Sequence, residues 1–512
     1  MAINETKKGS ILLIEGIAID KPSEYISDNS ARNSENFELS RGVLTKRTGS
    51  IQLGDVVGGT DIEIMGGVEF NREDVNYNVR VGLDKIERYN SATSAWIDIT
   101  GSDLTGSNID LVSFATPLLS SQPILCITNG KDAIRKWTAT GNTAALGGTP
   151  PVARFIQEYK TYLVCANIAG GTDVAQRVQW SDTADPETWD SGNAGAVDLV
   201  EDGEPITALK LFGNYVCVHK EHSIYLGYLV SGTAVFLFDR KSTGVGTIAN
   251  GSIQNLPSGE QIFLAKDGIY LFNGVTCKTV SPAINEEIRD TLNAEYAKKA
   301  WSILVRSKKE AWIGVPIVGS GYGEVVYKYN YETGIVMKDT RANCNAMWIG
   351  SSTAGLSWDE MTGTWDEQSA RWDGTGLAKG ADVVNYATND GYTYAISESV
   401  KNDDGVAIDA KWITKDYQDS QQRISRFNKL ELWAKGSSVK VEYSIDQGET
   451  WVEASGSPHT LTDSYPTHES PDVFYFDVVS SQIRFRFSNS NLGETLAIKQ
   501  FIINYIPREM RR

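Results

Sequence analysis

The sequence predicts an all-β protein, and three observations support this assignment. Apolar and polar residues alternate with a period of two in many short segments, including Val325–Tyr329, Val441–Ile445 and Ile483–Ser488. Aromatic residues repeatedly precede turns that are rich in Asn, Thr and Gly. The 512 residues include 22 Tyr, 15 Phe, 13 Trp and 47 Gly, a composition that favours strands joined by many turns over long helices.

The first region along the chain is residues 1–50. Its second half is polar and contains a basic cluster formed by Arg41, Lys46 and Arg47. This segment predicts an N-terminal arm or an irregular docking segment.

The second region, residues 51–400, is predicted to be β-propeller-like. Five segments share a pattern in which an aromatic strand end leads into a turn and the chain returns as another strand. These segments are Tyr89–Trp96, Trp137–Asn142, Leu271–Gly274, Tyr329–Ile335 and Trp358–Trp365. Radial repetition of such hairpins protects the strand edges of a large antiparallel protein. Roughly 340 residues at ~45 residues per blade give about six to eight blades.

One helix is predicted within this region, at residues 282–299. Ser281 and Pro282 form a typical helix start, and Ile284 and Ile288 begin an apolar stripe at helical spacing. The two lysines at 298–299 suit the negative end of a helix dipole.

The third region, residues 401–512, is predicted to be a compact β-sandwich that follows a polar linker at 401–405. Its predicted strands are Ala407–Thr414, Lys429–Ala434, Val439–Ser444, Phe474–Val479, Gln482–Phe487 and Leu496–Tyr505.

Charge and cysteine content exclude several classes of protein. The net charge of −17 argues against a groove that grips nucleic-acid phosphates, but it is compatible with a wall past which DNA slides. The five cysteines are widely spaced without a CxxC pair, so we expect buried thiols in a reducing compartment and no zinc site. The apolar run Ile11–Ile14 is too short for a signal peptide, and no stretch approaches the roughly 20 apolar residues of a membrane span.

The sharpest local motif is an Asp-box, S-x-D-x-G-x-T-W. Its residues are Ser444, Asp446, Gly448, Thr450 and Trp451. The Asp side chain is expected to tie back the turn, Gly to adopt positive φ, and Trp to cover the hairpin. Asp-boxes are common in sialidases, but there too the motif stabilises a hairpin away from the chemistry, so we assign it a structural role.

Other candidate sites carry weaker signals. His219 and His222 lie three residues apart beside a strand, where metal ligation would favour an even spacing, and His459 and His468 lie in a polar loop. Four carboxylates could suggest calcium but lack EF-hand spacing, so a solvated hairpin is the preferred interpretation. These are Asp359, Glu360, Asp366 and Glu367. We therefore predict no catalytic residue, no cofactor and no metal site.

A series of consecutive segments in the middle of the chain shows a family resemblance. The segments are Val178–Trp189, Glu201–Leu209, Tyr215–Lys220 with Ser223–Tyr225, and Phe263–Gly274. They resemble the series R-x-x-W-S-x-x-x-D-P-x-x-W, D-G-x-x-I-x-A-L, V-x-x-x-x-S-I-Y and D-G-I-Y-x-F-x-G of the tail hub or nozzle proteins of short-tailed bacteriophages (podoviruses). That group is also described as DNA-stabilisation or head-completion proteins. The stretch Asn36–Gly49 is similar to theirs, with Thr48 where they often have Pro, and the C-terminal region resembles an accessory β-domain of some members.

The resemblance implies a propeller protomer of a virion tail, assembled in the host cytoplasm. Six copies would ring the tail end below a head-to-tail adaptor ring, retain packaged DNA and form the conduit for its ejection at host entry. The ring would carry fibres, spikes, a needle or a plug, and the genome would pass without sequence-specific binding. An acidic lumen would repel phosphates, although solubility alone explains the charge nearly as well. Candidate assembly contacts are Arg41, Lys46, Arg47, Arg508, Arg511 and Arg512.

Two alternative functions remain open at the level of sequence. The first is a receptor-binding or glycan-processing tail protein of the sialidase-like propeller type. The second is a cellular propeller that acts as an interaction scaffold.

Overall fold

The computed structural model describes residues 6–7, 10–19, 22–59, 63–169, 174–231, 234–280, 282–351, 382–419, 423–461 and 470–507. The N-terminal strands are β1 (Thr6–Lys7), β2 (Ile11–Leu12), β3 (Ala31–Glu35), β4 (Phe37–Ser40), β5 (Val43–Lys46) and β6 (Gly49–Gln52). Short 3-10 turns lie at Ser23–Tyr25, Asn250–Ser252, Ala297–Lys299 and Arg306–Lys308.

Seven four-stranded antiparallel sheets then follow one another. Sheet 1 contains β7 (Ile64–Arg72), β8 (Val75–Gly82), β9 (Ile86–Asn90) and β10 (Ala95–Asp98). Sheet 2 contains β11 (Ser113–Ala115) and, after a hairpin of β12 (Leu118–Leu119) and β13 (Gln122–Pro123), β14 (Leu125–Thr128), β15 (Arg135–Trp137) and β16 (Ala144–Ala145). Sheet 3 contains β17 (Val152–Tyr159), β18 (Tyr162–Ala169), β19 (Val174–Trp180) and β20 (Gly195–Asp198). Sheet 4 contains β21 (Ala208–Phe212), β22 (Tyr215–His219), β23 (Ser223–Leu229) and β24 (Phe236–Thr243).

The remaining three sheets complete the series. Sheet 5 contains β25 (Gln254–Asn255), β26 (Gln261–Ala265), β27 (Gly268–Phe272) and β28 (Cys277–Thr279), and is followed by helix α1 (Pro282–Thr291). Sheet 6 contains β29 (Trp301–Val305), β30 (Glu310–Val315), β31 (Val325–Asn330) and β32 (Val336–Thr340). Sheet 7 contains β33 (Cys344–Ser351), β34 (Asp382–Thr388), β35 (Thr393–Ser397) and, as its outermost strand, β6.

The seven sheets are the blades of a propeller-like domain. The first strand of every sheet contributes residues to the lining of one central cavity. Each pair of neighbouring sheets encloses its own cluster of buried apolar side chains, including the pair formed by sheets 7 and 1. The predicted fold class is therefore confirmed, and the described residues form seven blades.

Ring closure combines the N-terminal strand β6 with the last three strands of the propeller. Ser50 and Ile51 of β6 pair with Ile396 and Ala395 of β35. On the inner side β33 packs against β7, where a Cβ added at Gly67 would lie 2.3 Å from the ring of Trp348. Glycine at this position allows the first and last inner strands to approach closely.

The predicted aromatic hairpins have one structural position in common. The four that lie within the described residues each join the third strand of a sheet to the fourth, in sheets 1, 2, 5 and 6. The shared sequence pattern thus reflects equivalent places in successive blades. The fifth hairpin, Trp358–Trp365, lies outside the described residues.

The C-terminal region forms two packed sheets with a common core. Its strands are β36 (Ala410–Thr414), β37 (Tyr417–Gln418), β38 (Ser425–Gly436), β39 (Ser438–Ser444), β40 (Val452–Glu453), β41 (His459–Thr460), β42 (Asp472–Ser480), β43 (Gln482–Asn489) and β44 (Leu496–Pro507). One sheet has the order β4-β5-β44-β38-β42, with β1 and β2 also on β44, and the other has the order β3-β36-β43-β39-β40. The six predicted strands are all present, with ends that differ by a few residues.

The N-terminal region differs from the predicted arm. Strands β1 to β5 complete the two sandwich sheets instead of projecting from the body. The turn between β4 and β5 consists of Arg41 and Gly42, both with positive φ (51° and 75°), which makes the stretch a tight hairpin. The sandwich is therefore built from both ends of the chain, and its apolar core also includes Met337 of β32.

The helix is shorter than predicted. It ends at Thr291, and residues 297–299 form a separate 3-10 turn. The chain leaves the helix because Leu292 forms a β-bridge with Ile317 and the N–H of Asn293 donates to the carbonyl of Pro316. Tertiary pairing thus overrides the helical pattern beyond residue 291.

Candidate functional site

The strongest candidate site is the central cavity of the propeller, which has a volume of about 770 Å³. This size falls within the range of small-molecule sites. The cavity exists because each blade places its first strand against the axis, so its lining comes from residues far apart in sequence. Lys210 of β21, Gln254 of β25 and Asn345 of β33 are among the polar residues that line it.

The lining is basic although the whole chain carries a net charge of −17. Its charged residues are Lys210, Lys298, Lys299, Arg306 and a single carboxylate, Glu69. Lys299 forms a buried ion pair with Glu63 of 2.7 Å. Burial lowers the pKa of Lys210, which forms no ion pair within the described residues. The expectation of an acidic lumen therefore does not extend to the channel inside the single chain.

A second cavity of about 330 Å³ forms the mouth of this channel. The two cavities share Lys298, Asn250, Leu111 and Phe155. The mouth lies where the chain enters the first strands of sheets 2 to 6, and an exposed arginine, Arg154, stands at its edge.

Two of the resemblance segments, Glu201–Leu209 and Tyr215–Lys220 with Ser223–Tyr225, meet in a polar cluster between β20 and β23. Asp202 accepts hydrogen bonds from Lys220, from the Ser223 hydroxyl at 2.5 Å and from the Tyr225 hydroxyl at 3.0 Å. Burial raises the pKa of Asp202, but these bonds outweigh it and lower the pKa to about 2. Lys220 is fully buried and also donates to the carbonyl of Leu199 at 2.5 Å. The cluster ties a loop to sheet 4, which is a structural role.

The tryptophan-rich segment before it is likewise structural. Trp180 donates to the carbonyl of Asn193 at 2.9 Å, and Trp189 donates to the carbonyl of Pro186 at 2.9 Å. Both rings are buried. The Glu187 side chain reaches sheet 2, where it pairs with Lys136 at 2.5 Å. The segment therefore connects sheets 2 and 3.

The Asp-box forms the hairpin that its sequence predicts. Asp446 accepts hydrogen bonds from the Thr450 N–H at 2.9 Å and from the Ser444 hydroxyl at 2.7 Å. Bonds from Thr450 and Ser444 hold the pKa of Asp446 well below its usual value. Gly448 has a φ of 97°, and the guanidinium of Arg486 lies 4.4 Å from the centre of the Trp451 ring. The hairpin joins β39 to β40 in the sandwich, outside the propeller.

The candidate assembly contacts divide into internal and exposed groups. Lys46 is buried and donates to the Oδ1 of Asn489 at 2.7 Å. Arg47 is buried and pairs with Asp403 at 2.6 Å, while its Nε donates to Asn36 at 2.8 Å. Lys46 therefore acts inside the sandwich and Arg47 at the junction between sandwich and propeller, in contrast to the docking role predicted for both. Arg41 is exposed in its turn. Arg508, Arg511 and Arg512 lie outside the described residues.

The histidines have separate environments. His219 is fully buried and its Nε2 contacts Gln261 at 2.8 Å, while burial lowers its pKa to about 4 despite that bond. His222 pairs with Glu204 at 2.7 Å and His459 with Asp472 at 3.1 Å. His468 lies outside the described residues.

Within the described residues, the cysteines and carboxylates form no further candidate site. Four of the five cysteines are buried, all five are free, and burial raises the pKa of each buried thiol. In the part of the chain that the structure describes, no group of three or more His, Cys, Asp or Glu side chains is placed to hold a metal ion. The carboxylates at 359, 360, 366 and 367 lie outside it. None of its helices is both long and apolar enough to cross a membrane.

Comparisons with known proteins add little to this description. No family model matches the chain, and no curated protein sequence matches it. Among solved structures, BamB from Moraxella catarrhalis is 10% identical, with a TM-score of 0.37 over 76% of this chain and 99% of its own. U3-55K is 12% identical, with a TM-score of 0.35 over 67% of this chain and 98% of its own. Sqt1 from Saccharomyces cerevisiae is 12% identical, with a TM-score of 0.28 over 56% and 95% respectively. The fold assignment rests on the sheet topology described above.

Proposed function

We propose that this protein is a structural component of a bacteriophage tail, a hub or nozzle that continues the head-to-tail channel. In this role it retains packaged DNA, forms the conduit for its ejection and carries fibres, spikes or a plug. The observation that carries the proposal is the series of resemblance segments. Their polar residues, such as Asp202 and Lys220, act within the chain as ties between loops and sheets. Internal bonds of this kind suit a protein that must stay rigid while it retains packaged DNA.

The junction between propeller and sandwich supports the same role. Arg47 and Asp403 form an ion pair at this junction, and Glu38 of the sandwich accepts from Lys308 and Lys328 of sheet 6 at 2.7 and 2.9 Å. Burial raises the pKa of Glu38, but the two lysines lower it far more. Because these ion pairs join the two domains, force on the sandwich would pass into the propeller.

Assembly on a template is the direct test of this function. Closed blades expose few pairing edges, so the free chain should be monomeric at micromolar concentration. Six copies should join a preformed adaptor ring, where docking to the ring reinforces weak lateral contacts. Light scattering with mass determination, on the chain alone and then with the adaptor ring, measures both states.

Charge variants sharpen that experiment. Arg41→Glu should weaken docking, and the effect should decrease at high salt. Lys266→Glu is the matched control, since Lys266 is exposed on sheet 5. A stable hexamer of the free chain would contradict templated assembly. A trimer of the free chain would favour the receptor-binding alternative.

A further inference from the structure

We propose that the mouth of the propeller channel binds a small organic anion, with Lys298 and Arg154 holding its phosphate or carboxylate group. This inference does not depend on the proposed function.

The first argument is an excess of cations over partners at the mouth. Lys131 lies 3.8 Å from Asp110, and Lys299 is paired with Glu63. Within the described residues, the side chains of Lys298 and Arg154 form no ion pair and no hydrogen bond. The mouth lining itself contains two cations, Lys298 and Arg154, and one carboxylate, Asp110, so an incoming anion would meet a net positive charge.

The electrostatic environment of Lys298 agrees with this geometry. Burial lowers its pKa, and the nearby positive charges of Arg154, Lys299 and Lys131 lower it further, with Asp110 acting in the opposite direction. Positive groups that converge in a cleft with low-dielectric walls focus their field on the opening. A bound anion would relieve this repulsion and form charge-assisted hydrogen bonds, which are stronger than neutral ones.

A fixed neutral donor stands beside the cations. Asn250 is buried and lines both cavities. Its Oδ1 accepts the Leu209 N–H at 3.1 Å, which fixes the orientation of the amide. The amide nitrogen has no partner within the described residues, so it remains available to donate to an anion.

The walls of the mouth indicate that the anion has an apolar body. Ile109, Ile206 and Ile248 line the mouth together with Phe155. Inorganic phosphate would leave these side chains unused, whereas a short alkyl or aryl group would cover them and gain free energy by burial. The site is therefore suited to an amphipathic anion small enough for about 330 Å³.

Isothermal calorimetry with three probes of equal chain length tests the proposal. The probes are hexyl phosphate, hexanoate and the neutral hexanol, each titrated into the full-length chain. We expect saturable binding of at least one anion and no comparable binding of hexanol. Binding of hexyl phosphate alone would assign the site to phosphates, and binding of hexanoate alone would assign it to carboxylates.

Variants at the mouth test whether the anion binds there. Lys298→Ala and Arg154→Ala should each weaken anion binding about tenfold, the loss of one charge-assisted contact. Lys266→Ala and Arg177→Ala are matched controls, since neither residue lines the mouth: Lys266 is exposed in the turn between β26 and β27, and Arg177 of β19 is half-exposed. Lys298→Gln provides a second measurement if the alanine variant does not fold. Absence of anion binding, equal affinity in mouth and control variants, or equal binding of hexanol would overturn the proposal.

Discussion

Two interfaces between blades show different ways of holding the propeller together. Sheets 5 and 6 pack through an apolar cluster that contains Leu264, Ile313 and Tyr327, and helix α1 adds Ile284 and Ile288. Packing of this kind depends on apolar volume and is not directional.

The closing interface between sheets 7 and 1 is smaller and more polar. Its described apolar cluster contains only Val57, Ile64, Trp348 and Ala387 as buried members. Arg80 of β8 is fully buried beside this cluster, where it pairs with Glu87 at 2.7 Å and donates to Thr393 of β35 at 3.0 Å. The contrast indicates that directional polar bonds fix the register in which the ring closes.

Removal of Arg80 should produce the largest effect. Arg80→Met leaves Glu87 buried without its partner, so the free energy of unfolding should fall by about 4 kcal/mol. Urea denaturation measures this loss. The control Arg177→Met breaks an exposed pair with Asp198 and should cost less than about 1 kcal/mol. Equal losses in the two variants would show that the buried pair at the closing interface contributes no more than an exposed pair.

The stability of the apolar interface between sheets 5 and 6 should depend on side-chain volume. Leu264→Ala between sheets 5 and 6 should lower the free energy of unfolding by about 3 kcal/mol through loss of burial and a residual cavity. Leu264→Met keeps most of the volume and should cost less than about 1.5 kcal/mol. A large loss in Leu264→Met would show that this interface, too, requires a specific shape.

A buried histidine in the interface between sheets 4 and 5, His219, makes stability depend on pH. The pKa of His219 is lowered to about 4 by burial, whereas in the unfolded chain it is near 6.5. The unfolded state therefore binds more protons between these values, so stability is lost as pH falls from 6.5 towards 4. From pH 7 to pH 5 the expected loss is about 2 kcal/mol. Comparison of urea denaturation of the wild type with His219→Gln isolates this contribution, and equal pH dependence in both would contradict it.

The Asp-box lies outside both interfaces and should give the smallest effect. Asp446→Ala removes the bonds to Thr450 and Ser444, and the melting temperature should fall by a few degrees. Glu449→Ala in the same turn is the control, because no side-chain bond of Glu449 is involved in the turn. Sialidase turnover in the wild type that disappears in Asp446→Ala would contradict the structural role.

Local sequence patterns predicted most of the β structure. Alternation and turn chemistry act over a few residues, so the aromatic hairpins and the six sandwich strands could be placed in advance. The position of the N-terminal strands could not be predicted, because it depends on pairing between residues far apart in the sequence. An example is Leu44 of β5, which pairs with Ile498 of β44. For the same reason, the sequence alone does not show that Lys46 and Arg47 are buried.

The basic channel could not be predicted from the sequence either, because its residues are also far apart along the chain. Lys210, Lys298 and Arg306 are spread over the chain without a motif, and they converge only because each lies near the first strand of a blade. The only available signal would have been a polar residue at an apolar strand position, as at Lys210 between Leu209 and Leu211.

The affinity for duplex DNA distinguishes a conduit, past which DNA slides, from a protein that binds nucleic acid. The negative net charge should keep affinity for duplex DNA weak at physiological salt, which fluorescence anisotropy measures. Sub-micromolar affinity with a steep salt dependence would show a basic outer surface that contradicts the conduit.

The location of the chain in the virion tests the proposed function most directly. If the proposal is right, a gold label on the C-terminal sandwich, imaged by electron microscopy of virions that contain the chain, should mark a ring at the end of the tail with six copies. Label on the capsid, three copies on a peripheral spike, or virions without the protein would contradict the role of a tail hub or nozzle.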